Sequence, residues 1–272
     1  MYAHMCMYLS MYLNVCTYVY ECMCVCKYVY MCISVFLLSG LMADEANIQW
    51  DYSKDRGPKY GGELDKNFAK CQVGKMQTPI DIIDTQTQKT QYNLAFAYAR
   101  NTKNLINNGH SIQVNIDGTD STLTFNGSLY QLVQFHFHTP SENRIDGIAY
   151  PLEVHLVHKN ADGKLLVVSV LFEEGTDNAA LEEIIKSAPH AVDKSMEFKA
   201  FDISTLLPKN TSYYEFIGSL TTPPCTENVQ WVVMKNPLML SQKQLESLQN
   251  ILHHNAREVQ PLNERVIKSA DQ

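Results

Sequence analysis

Two short segments of this chain carry side chains in a pattern suited to holding a metal ion. In Gln134-Phe135-His136-Phe137-His138 polar and aromatic residues alternate, so on a β-strand Gln134, His136 and His138 share one face while both phenylalanines bury on the other. Further along, Glu153-Val154-His155-Leu156-Val157 groups Glu153, His155 and Val157 by the same rule. If the two strands pair, His136, His138 and His155 offer three neutral imidazoles to one cation and leave a fourth tetrahedral corner open. That is the arrangement of a catalytic rather than a structural zinc site. Gln134 and Glu153 lie on the ligand faces, where each can accept the second ring N–H of a neighbouring histidine and fix the tautomer that ligates metal. The other histidines read differently: His158 points away from His155 and is structural, His190 lies in a loop, His253 and His254 close a helix, and His4 belongs to the N-terminal segment.

The elements that must position these residues are mainly strands. Alternating or β-branched runs predict strands over Ile112–Ile116, Thr122–Phe125, Leu129–His138, Leu152–His158, Lys164–Phe172 and Val229–Met234. Turn pairs punctuate them at Asn107-Asn108-Gly109, Asp117-Gly118, Asn126-Gly127, Asp146-Gly147 and Asp162-Gly163, each supplying residues that tolerate positive φ. Two helices are predicted, Asn178–Ser187 ahead of Pro189, and Gln242–His253. The second opens with Ser241 and Gln244 as a capping box and carries Leu245, Leu248 and Leu252 as a core-facing stripe. The body shows no internal repeat and no linker, so one domain is expected.

The 272 residues have a formal net charge of -7 and no Lys/Arg run, which argues against nucleic acid as a partner. Residues 1–30 are near-repeats of Met, Tyr, Cys and Val with Glu21 and Lys27 as their charges, and no core can be built from them. Tyr28–Ala43 is uncharged and mostly apolar but short for a membrane span of about 20 residues, and it reads as the h-region of a signal peptide. Cleavage after Ala43 would leave 1–43 as a leader and 44–272 as the mature chain, secreted or periplasmic, with an uncleaved anchor as the rival reading. Six of the eight cysteines crowd this leader; Cys71 and Cys225 remain, either a long-range disulfide or two buried thiols.

From about Trp50 to Arg265 the chain resembles the bacterial-type α-class carbonic anhydrases. The resemblance is carried by Gln77-Thr78-Pro79-Ile80-Asp81-Ile82, Asn107-Asn108-Gly109-His110, Gln134 to Glu142, Glu153 to His158 and Gly218-Ser219-Leu220-Thr221-Thr222-Pro223-Pro224, in order. It implies a mainly β single domain with a few short helices around a twisted, largely antiparallel central sheet. It implies zinc held by His136, His138 and His155 at the bottom of a cone-shaped cleft, and reversible hydration of carbon dioxide to bicarbonate and a proton. Gln134 and Glu153 would orient two ligands, and the Asn255 carbonyl the third. Thr221 resembles the gatekeeper that accepts a hydrogen bond from the activated water and donates one to Glu142. His110 resembles the proton shuttle, and an ordinary imidazole pKa near 6.5 suits that task. Val157, Val168, Leu220, Thr221, Thr222, Val229 and Trp231 match the wall where carbon dioxide would sit. Cys71 and Cys225 match the disulfide of exported members, and a homodimer is compatible with the family.

Three positions depart from the pattern: Tyr60 where many members have Trp, Asn143 where many have His, and Phe216 where animal members have Tyr. Two rivals remain at this stage. His136-x-His138-x3-Glu142 also resembles a cupin site, with Glu142 as a fourth ligand to iron or manganese. A carbonic anhydrase-like binding module without metal would instead lack a ligand histidine or the gate pair, and all of these are present.

Overall fold

The structure is a computed structural model that describes residues 50–53 and 55–272; the leader and its expected cleavage site lie outside the described residues. Its centre is a mixed sheet of thirteen strands. Ten of them form a continuous path and are numbered in chain order: β1 Gln88–Lys89, β2 Thr102–Asn107, β3 Ile112–Ile116, β4 Ser128–His138, β5 Leu152–Lys159, β6 Leu165–Glu174, β7 Lys194–Glu197, β8 Tyr213–Ser219, β9 Glu227–Met234 and β10 Lys268–Ala270. They lie side by side as β7-β2-β3-β4-β5-β6-β9-β8-β10-β1. Every joint on this path is antiparallel except β6 with β9 and β10 with β1. The expected fold class is therefore the observed one. The described residues form one compact unit.

Local chemistry explains the strand ends. Thr122–Phe125 turns into β4 through Asn126-Gly127, both at positive φ, so that Phe125 faces Ser128 across a two-residue hairpin whose twist matches the strands. The two predicted helices form as α1, Ala179–Ser187, and α2, Gln242–Leu252. The Asn178 side chain accepts from the Ala180 and Leu181 N–H groups to cap α1, and Ser241 with Gln244 closes the capping box of α2.

Strand parity separates two apolar clusters. Phe135, Phe137, Val154, Leu156, Val168 and Val170 pack with Leu181 and Ile184 of α1 and Leu245 and Leu248 of α2. Val167, Leu171, Val229, Trp231 and Val233 pack with Ile80 and Phe216 in the second cluster. The metal-ligand candidates share strand parity with this second set, because register places Val157 opposite Val167 and His155 opposite Ser169.

Candidate metal centre and cleft

β4 and β5 are direct antiparallel neighbours, with His155 opposite His136 and Glu153 opposite His138. Cross-strand partners share a face, so the pairing brings three imidazoles together. One ring nitrogen from each of His136, His138 and His155 lies within 4.8 Å of the others, the one such group among the described residues. His138 and His155 are buried, while His136 keeps an edge exposed. Burial pushes His136 well below the ordinary histidine pKa, reinforced by His138 and His155; burial also lowers His138 against the pull of the Asn255 carbonyl. Neutral rings are what a metal site requires.

The second nitrogens are held individually. His136 Nδ1 lies 2.8 Å from Gln134 Oε1, and His138 Nδ1 lies 2.8 Å from the Asn255 carbonyl. His155 Nε2 approaches Glu153 Oε1 at 2.9 Å, at an angle short of a formed hydrogen bond. His138 Nε2 is buried with no hydrogen-bond partner. A buried acceptor left open beside two other ring nitrogens fits a zinc ion, whose nitrogen and oxygen ligands make a tetrahedral set with one free corner.

Glu153 is the most densely bonded carboxylate in the molecule's centre. Oε2 accepts the N–H groups of Glu142 at 2.6 Å and Asn143 at 2.9 Å; Oε1 accepts Asn143 Nδ2 at 2.7 Å and Ser169 Oγ at 2.5 Å. Burial alone would raise its pKa, but the adjacent His155 ring and the hydrogen bonds from Ser169 and Asn143 outweigh burial and hold it at about 2. Glu142 shows the opposite balance. Burial raises it to about 7, with neighbouring Glu153 adding to the rise and His155, the Arg257 N–H and the Thr221 hydroxyl opposing it. The Arg257 N–H donates to Glu142 Oε1 at 2.9 Å, while Oε2 has no formed partner. Thr221 is buried and acts on this carboxyl through its hydroxyl.

Glu142 Oε1 lies 3.6 Å from His138 Nδ1, the nitrogen already taken by the Asn255 carbonyl. The clustered ligand atoms are those of the three histidines alone, with the open Glu142 Oε2 standing 3.9 Å from His155 Nδ1, and this speaks against Glu142 as a fourth ligand. Arg257, which sequence reading did not single out, clasps the Thr78 carbonyl at 2.7 Å and the Cys71 carbonyl at 2.9 Å. It thereby ties the Glu142 support to the Cys71–Cys225 disulfide.

His110 sits in the turn after Asn107-Asn108-Gly109. The Asn108 side chain accepts its N–H at 3.0 Å, and Asn255 Nδ2 donates to its carbonyl at 2.9 Å. The same Asn255 amide donates to the Phe137 carbonyl at 2.8 Å, so one residue joins the His110 turn to the ligand strand. The His110 ring stacks on Trp50 with centroids 3.9 Å apart. Burial lowers its pKa, partly offset by Asp51 and Asp193.

The apolar wall requires one correction. Val157, Leu220, Val229 and Trp231 belong to one cluster, but Val168 belongs to the other, opposite Leu156 on the far face of the sheet. Val167 occupies the wall instead, facing Val157 on β5 and Trp231 on β9. Thr222 is half-buried beside Thr221. Of the departures from the family pattern, Phe216 stacks parallel to Trp231, and Asn143 bridges the Ile80 N–H to Glu153.

The family model for eukaryotic-type carbonic anhydrase matches residues 62–271. A carbonic anhydrase of Pectobacterium carotovorum is 42% identical over 224 residues, covering 81% of this chain and 91% of its own. One from Neisseria gonorrhoeae is 43% identical over 219 residues, covering 80% and 86%. Among solved structures, the α-carbonic anhydrase of Photobacterium profundum is 44% identical, with a TM-score of 0.75 over 80% of this chain and 99% of its own. That of Thermovibrio ammonificans, solved with the inhibitor sulfanilamide, is 37% identical with a TM-score of 0.79, covering 82% and 100%.

Proposed function

The chain belongs to the eukaryotic-type carbonic anhydrase family, catalysing zinc-dependent hydration of carbon dioxide, and from that premise we propose which of its residues carry the reaction. His136, His138 and His155 hold the zinc. The observation that carries this assignment is that one ring nitrogen from each histidine lies within 4.8 Å of the others while buried His138 Nε2 has no hydrogen-bond partner. When bound, zinc supplies Lewis-acid activation that brings the pKa of a water to about 7, and this enzyme class is itself the standard example of that magnitude.

The remaining steps belong to the protein. An ionised Glu142 can only accept, so it draws the Thr221 proton toward itself and leaves the Thr221 oxygen to accept from, and thereby orient, the attacking oxygen. Val157, Val167, Leu220, Val229 and Trp231 receive carbon dioxide, which has no charge to grip, and keep bulk water from its carbon. His110, half-buried on its turn, takes the proton released at each turnover and passes it to buffer.

We also propose export to an oxidising compartment. The Cys71–Cys225 disulfide and the bacterial relatives support it, and no helix among the described residues is long and apolar enough to cross a membrane. N-terminal sequencing of the exported protein should begin at Asp44; a retained apolar segment would refute cleavage.

Stopped-flow carbon dioxide hydration, on residues 44–272 at one equivalent of zinc, after chelation, and after zinc is restored, tests the central reading. Activity should vanish with the chelator and return with zinc. Activity that survives complete zinc removal would overturn it.

A further inference from the structure

Ser169 is fully buried on β6, directly opposite His155, and its side chain reaches the carboxylate that faces that histidine. Four hydrogen bonds fix Glu153, and their origins differ. Three come from the 142–143 loop: two backbone N–H groups on Oε2 and the Asn143 amide on Oε1. Ser169 Oγ supplies the fourth, to Oε1, from a strand paired with β5 along eight register positions. Oε1 is also the oxygen 2.9 Å from His155 Nε2. Oε1 thus carries donors from two elements, Asn143 from the loop and Ser169 from β6, and the second charge-assisted bond further narrows a terminal torsion that is otherwise broad.

We infer that Ser169 is a positioning residue: its hydroxyl aims Glu153 Oε1 at His155 Nε2 and so sets how long His155 retains zinc. The inference rests on the reading of His155 as a zinc ligand. Direct partners of ligating histidines change metal affinity by roughly 10- to 100-fold when removed, and a residue one bond further out should act by less, about fivefold.

The test uses the zinc-loaded chain mixed with excess colorimetric chelator, and first-order zinc release is followed. Ser169→Ala should release zinc about fivefold faster, and Ser169→Thr, which keeps the hydroxyl, should release it at close to the parent rate. Nitrogen-edited NMR of the zinc-loaded protein should show the His155 Nε2 proton moving upfield in Ser169→Ala as its contact with Glu153 lengthens, a change that loss of packing alone would not produce. Release from Ser169→Ala at the parent rate or slower, an unmoved resonance, or Ser169→Thr as fast as Ser169→Ala would each overturn the assignment. A His155→Ala control separates the two levels. If that variant holds zinc as tightly as the parent, the ligand reading itself fails, not merely the role of Ser169.

Discussion

Three histidines gathered on one face of β4 and β5 leave a fourth, His158, on the other face of β5, and its burial makes a quantitative demand on stability. The ring is fully buried, its Nε2 lies 2.8 Å from Tyr98 Oη, and burial depresses its pKa from 6.5 to about 3. The folded state therefore holds a neutral ring across a range where the unfolded chain takes up a proton. As pH falls below 6.5 the unfolded state gains protons that the folded state refuses, so stability is intact above pH 6.5 and declines until about pH 3. Integrating the linkage from pH 7 to pH 5 gives a loss of about 2 kcal/mol from this one group. Any folded value below about 4 gives nearly the same figure, because at pH 5 only the unfolded ring is then appreciably protonated. Urea unfolding of the zinc-loaded protein at pH 7 and pH 5 should show this loss, and His158→Gln should show a smaller one by about 2 kcal/mol. The comparison between proteins cancels zinc release and every other titration they share. Equal losses in parent and variant would refute the claim that His158 is held neutral.

Three other outcomes follow from named contacts. The Cys71–Cys225 bridge spans 154 residues, and loop-closure entropy for that length gives about 5 kcal/mol, so Cys71→Ser with Cys225→Ser should lower the urea midpoint strongly; a shift under 1 kcal/mol, on the order of a surface substitution, would contradict it. At Gly218 a Cβ would stand 2.0 Å from Thr78 Oγ1 and 2.9 Å from Trp231 Cδ1, so Gly218→Ala should cost roughly 1–3 kcal/mol and slow turnover by displacing the strand that leads to Thr221, both absent if the contact is relieved cheaply. Thr221→Ala should keep its zinc but lose about 100-fold in kcat/KM, the scale on which one polar contact to the reacting oxygen acts; a loss below threefold, a small fraction of that, would remove Thr221 from the mechanism.

The ligand strands were legible because their two faces differ: Phe135 and Phe137 alternate with Gln134, His136 and His138, so parity was written in the chain itself. β8 was missed for the converse reason. Its run from Tyr213 to Ser219 is buried at every position except Ile217, so no alternation marks it. β6 has the same character, Leu-Leu-Val-Val-Ser-Val, and a continuous apolar run does not say which residues face the cleft. That ambiguity is why Val168 was named and Val167 is the residue in place; only pairing with Val157 resolves it, and pairing is a long-range fact. Ser169 stood in the same run as the single polar side chain, a visible anomaly whose meaning depends on Glu153 arriving from another strand. Arg257 and the side-chain bonds of Asn255 are likewise products of chain crossing, since their partners lie more than a hundred residues away. Sequence period thus specifies chemistry carried within one strand, whereas supports that cross between strands appear only when register is fixed, and the residues most exposed to a one-position error are those in strands buried on both faces.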